Sequence, residues 1–375
     1  MSKVKSTKYI FLAGGHSGGP LAPLLAVAAE WQAQDKAITP VVLDVKDSVA
    51  EKHSVKEKFI FHRISAGKLR RYWSWKNLLI PFQFILGVLQ TFWLLVRYRP
   101  IAVLGAGGFV QLPVVIAAWL RRVPRFIHQQ DVRPTLSNSL AALFANMITV
   151  SFETSIRDFP QGTGLGKKYV TTNKVIWTGN PAPNIHQEKI SKAEALKEFE
   201  LHHELPVLLV IGGATGAAGL NQLVTAELFA LTKIVQVLHS TGAGKLTVTA
   251  TNNYHPFEYI DNTEAAYSAA DIVLSRAGLG AITLLAHPKK PSIIIPIPKS
   301  HQEDNAQLLF RSKAAIVLDQ TETTPEKLRE VIRDLLFKPE QVKQLTQNMY
   351  HLLPLHSAHK VVQTITHYLE DHDPN

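Results

Sequence analysis

Residues 8–34 read KYIFLAGGHSGGPLAPLLAVAAEWQAQ. Lys8–Ala13 is an apolar run of strand length, GGHSGGP is a glycine-rich turn, and the rest has helical periodicity. That order opens a nucleotide-type βα unit. The plan recurs at Pro206–Ile211 (PVLLVI), which leads through GGATGAAG into LNQLVTAELFALTKI. A third junction is AVLGAGGFVQLPVVIAAWLRR, turning at Gly105, Gly107 and Gly108. Further apolar runs are RFIHQ (125–129), ITVSF (148–152), VQVLHST (235–241), DIVLSRAG (271–278) and SIIIPIP (292–298). Strands alternating with helical segments imply parallel sheets covered on both faces. The polar stretch TGNPAPNIHQEKISKAEAL, Thr178–Leu196, is the expected junction. The fold class is therefore α/β: two doubly wound, Rossmann-like domains over 1–180 and 181–355. A cleft is expected between them, beyond the carboxyl ends of the strands.

The chain has 375 residues, 46% hydrophobic and 19% charged, enough for a sizeable core. Cysteine is absent, which excludes a disulfide scaffold, a cysteine-ligated metal and a cysteine nucleophile. The start, MSKVKSTKYIFLAGG, runs directly into a glycine loop, so no signal peptide is expected. Net charge is +10, unevenly spread: 14 basic residues lie between Lys52 and Arg133 against two acids, Glu57 and Asp131. Within that segment Asn77–Val96 (NLLIPFQFILGVLQTFWLLV) carries no charge. Lys68, Arg70, Arg71 and Lys76 precede it, and Arg97 and Arg99 follow. Three readings compete: a membrane span, a buried helix, or an interfacial helix whose basic flanks meet anionic head groups. Asn77, Pro81, Gln83, Gly87, Gln90 and Thr91 dilute the stretch and weigh against a span.

Glycine lets backbone N–H groups approach an anion closely, and a helix N-terminus adds partial positive charge. Gly14, Gly15, Gly18 and Gly19 suit a phosphate or pyrophosphate, as do Gly212, Gly213 and Gly216. Neither loop is a Walker A motif or a dinucleotide fingerprint, so NAD is not expected. No Gly-x-Ser-x-Gly elbow, DxD-type metal motif or nucleic-acid motif is present, and no metal cofactor is expected. The late histidines His351, His356, His359 and His367 read as an exposed final helix.

Seven segments in order resemble the MurG family, the peripheral membrane glycosyltransferases that add N-acetylglucosamine to a lipid-linked muramyl-peptide. They are GGHSGGPLAPLLAVA (14–28), VLGAGGFVQLP (103–113), IHQQD (127–131), TGNPAP (178–183), VIGGATGAAGLNQ (210–222), YIDNTEAAYSAADIVLSRAG (259–278) and HQEDNA (301–306). The resemblance implies a GT-B architecture, with UDP-GlcNAc (UDP-N-acetylglucosamine) held mainly by the C-terminal domain and a polyprenyl-pyrophosphate-linked acceptor by the N-terminal one. It implies lipid I to lipid II conversion in peptidoglycan synthesis, on the cytoplasmic face of an anionic membrane, with no nucleic-acid partner. It also implies that the last helix, about 356–375, packs back on the N-terminal domain.

By the same resemblance, Ser17, Gly18 and Gly19 face the donor, and Gly14, Gly15, Gly18, Gly19, Gly107 and Gly108 line the acceptor pyrophosphate. Asp131 stands where the family has an Asn that contacts the donor sugar. Thr215 meets donor phosphate, and Ile260 meets uracil through its backbone. Ala277, Gly278, Leu279, Gly280, Ala281, Ile282, Thr283 and Leu284 wrap the nucleotide, and Gln302 and Asn305 bond the sugar.

Three positions depart from the family pattern. Pro20 stands at the expected base His, Leu284 at the ribose-binding Glu, and Pro183 at an Arg. Proline takes no proton. His16 and Asp131 are therefore the expected catalytic candidates, with His128 and His301 behind them. Two alternatives follow from these departures: a related transferase with another donor or lipid acceptor, and a non-catalytic homologue.

Overall fold

The computed structural model describes residues 7–16, 18–57, 59–67, 75–159, 174–182, 190–213, 216–286 and 290–372. Two compact units emerge: 1–184 together with 354–375, and 185–353.

In the first unit the strands are β1 (Lys8–Ala13), β2 (Ile38–Asp44), β3 (Ile60–Arg63), β4 (Ala102–Gly105), β5 (Arg125–Gln129), β6 (Met147–Val150) and β7 (Val175–Trp177). Its helices are α1 (Gly18–Gln34), α2 (Val49–Glu57), α3 (Ile80–Tyr98), α4 (Gln111–Leu120) and α5 (Leu136–Ala142). The sheet is parallel throughout, in the order β3-β2-β1-β4-β5-β6-β7.

The second unit carries α6 (Lys192–Glu198), β8 (Val207–Ile211), α7 (Ala218–Ala226), α8 (Leu228–Leu231), β9 (Gln236–Ser240), β10 (Tyr254–Phe257), α9 (Thr263–Ala269), β11 (Ile272–Ser275) and α10 (Leu279–Ala286). After these come β12 (Ser292–Ile294), α11 (Gln302–Arg311), β13 (Ile316–Val317), α12 (Pro325–Phe337) and α13 (Pro339–Leu352). Its parallel sheet runs β10-β9-β8-β11-β12-β13. The final helix, α14 (Ser357–Asp371), belongs to the first unit.

The central strands are apolar on both faces because helices cover both. Phe11 and Val41 lie in one core with Leu94 and Val114, whereas Ile10 and Leu12 lie in another with Leu24 and Trp31. Val361, Val362 and Ile365 of α14 complete that second core. The late histidine-rich stretch is thus two helices rather than one. They part at Leu353–His356, where Pro354 lacks the amide a continuous helix needs.

α3 inverts the expectation of a buried helix. Three of the residues that dilute the apolar run lie on its packed face, while Pro81 and Gln83 are exposed: Gly87 and Thr91 are buried with Leu94 and Leu95, and Gln90 accepts the Ser65 N–H at 2.7 Å. A Cβ at Gly87 would stand 2.0 Å from the Ser65 carbonyl oxygen, so only glycine permits this approach. Phe82, Ile85, Leu86, Leu89, Trp93 and Val96 point outward instead, Trp93 being 59% exposed. By length and composition α3 could cross a membrane; in the fold it packs one face against α4.

Candidate functional site

In each sheet the chain reverses its winding direction at one place, and all strands point the same way. Loops leaving the strand carboxyl ends beside that place form the natural ligand crevice of an open α/β sheet. In the first unit the switch lies between β1 and β4, and in the second between β8 and β11. The glycine loops named from the sequence occupy these positions.

At the first switch the β1–α1 and β4–α4 loops are in contact. A Cβ at Gly108 (φ +78°) would stand 2.8 Å from Gly15 Cα, and one at Gly15 would stand 3.3 Å from the Gly107 carbonyl oxygen. Gly107 also has positive φ (+103°). Asp44, at the end of β2, underpins the first loop. It is fully buried and accepts the His16 N–H at 3.1 Å on both carboxylate oxygens and the Val45 N–H at 2.7 Å. Burial raises its pKa, and these N–H bonds oppose the rise.

His16 sits at φ +68°, a left-handed conformation uncommon outside glycine. Its Nδ1 is enclosed and finds no hydrogen-bond partner among the described residues. Gly18, Gly19 and Pro20 form the first turn of α1, where the missing proline amide costs nothing because first-turn N–H groups have no intrahelical acceptor. Ser17 lies outside the described residues.

A buried amide chain ties the β4–α4 loop to the β5–α5 loop. The Gln111 carbonyl accepts the Gly107 N–H at 2.8 Å, and its amide donates to Asn138. Asn138 in turn donates to Gln129, whose amide donates to the carbonyls of Asp131 (2.7 Å) and Arg133 (3.0 Å). This chain fixes the backbone at Asp131, whose side chain is half-buried.

His128 lies beneath that loop, fully buried. It shares hydrogen bonds with Thr149 (2.9 Å), Ser151 (3.2 Å) and Asn180 (3.3 Å), and burial lowers its pKa to about 4. At neutral pH it is uncharged, and three hydrogen bonds hold its ring.

In the second unit Gly212 would place a Cβ 2.3 Å from the Ala217 methyl carbon, and Gly216 (φ +69°) one 2.3 Å from the Thr241 carbonyl oxygen. Below them Asn221 donates to that carbonyl at 2.9 Å and bonds His239 at 3.1 Å. Burial lowers the His239 pKa to about 4. Thr215 is outside the described residues, as is Pro183.

The β11–α10 connection differs from the expected turn. Only Ala277 and Gly278 are loop, and Leu279, Gly280, Ala281, Ile282, Thr283 and Leu284 begin α10. Leu279, Ile282 and Thr283 are buried, which leaves Gly280 exposed and Ala281 and Leu284 half-buried. Most of the stretch expected to wrap the nucleotide is thus the start of a helix anchored in the core, with its amino end at the switch. Asn305, fully buried, donates to the Ala277 carbonyl at 3.0 Å and so buttresses this connection. Gln302 accepts the Ile297 N–H at 3.2 Å. His301 is exposed at the head of α11, and Ile260 is buried between β10 and α9.

Arg276 is a component that sequence reasoning missed. Only 6% exposed, it donates to the Ile295 (2.9 Å) and Pro296 (3.1 Å) carbonyls and to Gln320 (2.5 Å). Its guanidinium also approaches the start of α7: a Cβ at Gly219 would stand 3.2 Å from Nη2. Asp44, Gln111 and Asn138 were missed as well. A lone acid ending the apolar run ITPVVLD was the available signal for Asp44. No group of three His, Asp or Glu spaced to hold a metal occurs among the described residues.

The N-terminal domain model of glycosyltransferase family 28 matches residues 10–150, and the C-terminal domain model of that family matches 207–364. Curated relatives carry the name UDP-N-acetylglucosamine–N-acetylmuramyl-(pentapeptide) pyrophosphoryl-undecaprenol N-acetylglucosamine transferase. The one from Legionella pneumophila (strain Paris) is 31% identical over 347 residues, covering 89% of this chain and 90% of its own. The one from Clostridium novyi is 31% identical over 98% of this chain and 99% of its own. Among solved structures, Acinetobacter baumannii MurG matches with a TM-score of 0.74 at 21% identity, covering 96% of this chain and 99% of its own. A UDP complex of Staphylococcus aureus MnaA matches at 0.70 with 11% identity, over 97% of each chain. The two parallel α/β units thus have the GT-B architecture.

Proposed function

This chain belongs to the MurG family within glycosyltransferase family 28, and from that premise we propose that it transfers N-acetylglucosamine from UDP-N-acetylglucosamine to a polyprenyl-pyrophosphate-linked muramyl-peptide. The observation that carries the reading is relatedness at about 30% identity along nearly the whole of both chains. The site geometry supports it. Each unit presents glycine loops at its switch point, where backbone N–H groups and helix amino ends suit phosphate oxygens.

In this reading the second unit holds the donor. The β8–α7 loop, with Thr215, and the amino end of α10 receive the diphosphate. The backbone of Ile260 meets the base, and Gln302 and Asn305 orient the sugar. The buried Arg276 cation draws the loops after β11 and β12 together and adds positive potential beneath the leaving group. The first unit takes the acceptor pyrophosphate on Gly14, Gly15, Gly18, Gly19, Gly107 and Gly108. An acceptor hydroxyl attacks the anomeric carbon on the face opposite UDP. His16 or Asp131 takes its proton, the carbon–oxygen bond to UDP breaks, and configuration inverts. His16 is the better placed chemically: Asp44 accepts its backbone N–H and so fixes the left-handed backbone from which the imidazole projects.

The outward apolar face of α3 supports peripheral attachment to the cytoplasmic membrane surface, where the acceptor's lipid resides. Of the basic flank, Lys68, Arg70 and Arg71 lie outside the described residues, and Arg97 and Arg99 stand at the carboxyl end of α3. The test is transfer of labelled N-acetylglucosamine from its UDP ester to a lipid-linked muramyl-peptide. Product with a newly formed β-linkage supports the reading. UDP binding without transfer overturns it.

A further inference from the structure

Arg276 follows β11 at the switch point of the second unit and is almost wholly buried. Among the described residues its guanidinium bonds only uncharged oxygens: the carbonyls of Ile295 and Pro296, and Oε1 of Gln320 at 2.5 Å. Its Nε is enclosed and finds no hydrogen-bond partner among those residues. Nor does any carboxylate among them pair with it. Burial lowers its pKa, yet a guanidinium keeps its proton. A buried charge without an opposite charge is costly to hold. An anion at the strand ends supplies the missing partner.

Gln320 lies in the turn between β13 and α12. A Cβ at Gly219, in the first turn of α7, would stand 2.6 Å from Gln320 Oε1 and 3.2 Å from Arg276 Nη2. Any other residue there would push the amide aside. Amide and guanidinium are therefore packed on the amino end of α7, where the helix adds its own partial positive charge. The neighbouring acid is engaged elsewhere. Asp319 is exposed, and its Oδ1 accepts the Thr321 N–H and hydroxyl, each at 2.6 Å. Its carbonyl accepts the Thr323 N–H at 3.0 Å and hydroxyl at 2.5 Å. This bonded turn presents an amide, not a carboxylate, to Arg276. A carboxylate there would pair with the guanidinium and cancel its field, whereas an amide oxygen anchors the group and leaves its charge whole.

We propose that Gln320 is a positioning residue of the donor site: it fixes Arg276 against the first turn of α7 without neutralising it, so that the full guanidinium charge acts on the donor diphosphate. The inference deepens the donor reading of the second unit and rests on it. Gln320 acts through Arg276, and the feature that matters is its lack of charge.

The test titrates the full-length protein with UDP and with uridine by calorimetry, for wild type, Gln320→Glu and Gln320→Met. Gln320→Glu exchanges one amide nitrogen for oxygen, and that nitrogen has no hydrogen-bond partner among the described residues. UDP affinity in this variant is expected to fall by about tenfold or more, because the diphosphate loses an uncompensated cation. Uridine, which carries no phosphate, should bind within about twofold of wild type. The melting temperature should hold or rise, since a buried cation gains a partner. Gln320→Met removes the anchor and keeps the charge, so it should lower the melting temperature and cost UDP affinity no more than about threefold. A loss of UDP affinity below tenfold in Gln320→Glu, an equal loss for uridine, or an equal loss in Gln320→Met overturns the proposal. So does a Gln320→Glu protein that melts lower or fails to fold. Wild type that binds no UDP sinks the donor reading and this role with it. Wild type that binds UDP, matched by Gln320→Glu, sinks the role of Gln320 alone.

Discussion

The backbone N–H of His16 lies 3.1 Å from both carboxylate oxygens of Asp44, 28 residues away on the neighbouring strand. A buried acid therefore holds the left-handed turn that carries the catalytic candidate. Asp44→Ala leaves the N–H groups of His16 and Val45 without that acceptor, and a buried donor left unpaired costs about 1–3 kcal/mol. The expected result is a stability loss of that order in urea denaturation and a larger fall in kcat than in KM for donor. Because burial raises the Asp44 pKa, the folded state holds this proton more tightly than the unfolded chain. Its contribution therefore favours folding at acid pH and fades as pH rises through the folded value, and Asp44→Asn should remove that part of the profile.

Loss of general-base help lowers rate about 10²–10⁴-fold. His16→Ala is expected to lower kcat within that range while leaving UDP affinity within about twofold, read by transfer kinetics and calorimetry. Asp131→Asn should cost less than tenfold if His16 is the base. The reverse order would transfer the role to Asp131, and full rate in both variants would remove both from the mechanism.

His128 and His239, one per unit, are buried with pKa values lowered to about 4. The unfolded chain binds these protons near pH 6.5, so stability falls as pH drops from about 6.5 towards 4. The difference between about 6.5 and about 4 corresponds to about 3 kcal/mol for each histidine once the pH is below both values. Urea midpoints at pH 7 and pH 5 should show about two-thirds of this loss for wild type. His128→Asn should flatten the slope for the first unit at some cost to stability at pH 7.

Leu89 and Trp93 project from α3 away from the protein. Leu89→Glu with Trp93→Glu removes apolar area worth about 1.5–3 kcal/mol per residue when buried in lipid. Sedimentation with anionic vesicles should fall at least tenfold, with the melting temperature unchanged and transfer to a water-soluble acceptor analogue retained. Unchanged sedimentation would refute docking through this face.

Period and punctuation made much of this legible in the sequence. Apolar runs of strand length, each followed by a glycine turn and an amphipathic segment, specified two parallel α/β units. The same turns marked the loops that the structure places at both switch points. β2, β3, β7, β10 and β13 were not anticipated. β3, β7, β10 and β13 are short runs of two to four residues, β2 is an apolar run interrupted by Pro40, and the pairing of all five depends on neighbours far away in the chain.

The sequence by itself determined the fold class and the positions of the glycine loops, because strand period, helix period and glycine's conformational freedom are local properties, and seven motifs in order carried the resemblance to the family. Tertiary structure alone decided the rest. Gly15 meets Gly108, and Asp44 grips His16, only because parallel pairing aligns the ends of β1, β2 and β4. Which side of α3 faces outward was likewise beyond composition. An apolar helix reads alike from every side until Gly87, Gln90 and Thr91 are seen against Ser65 and α4, leaving its aromatic residues to the solvent.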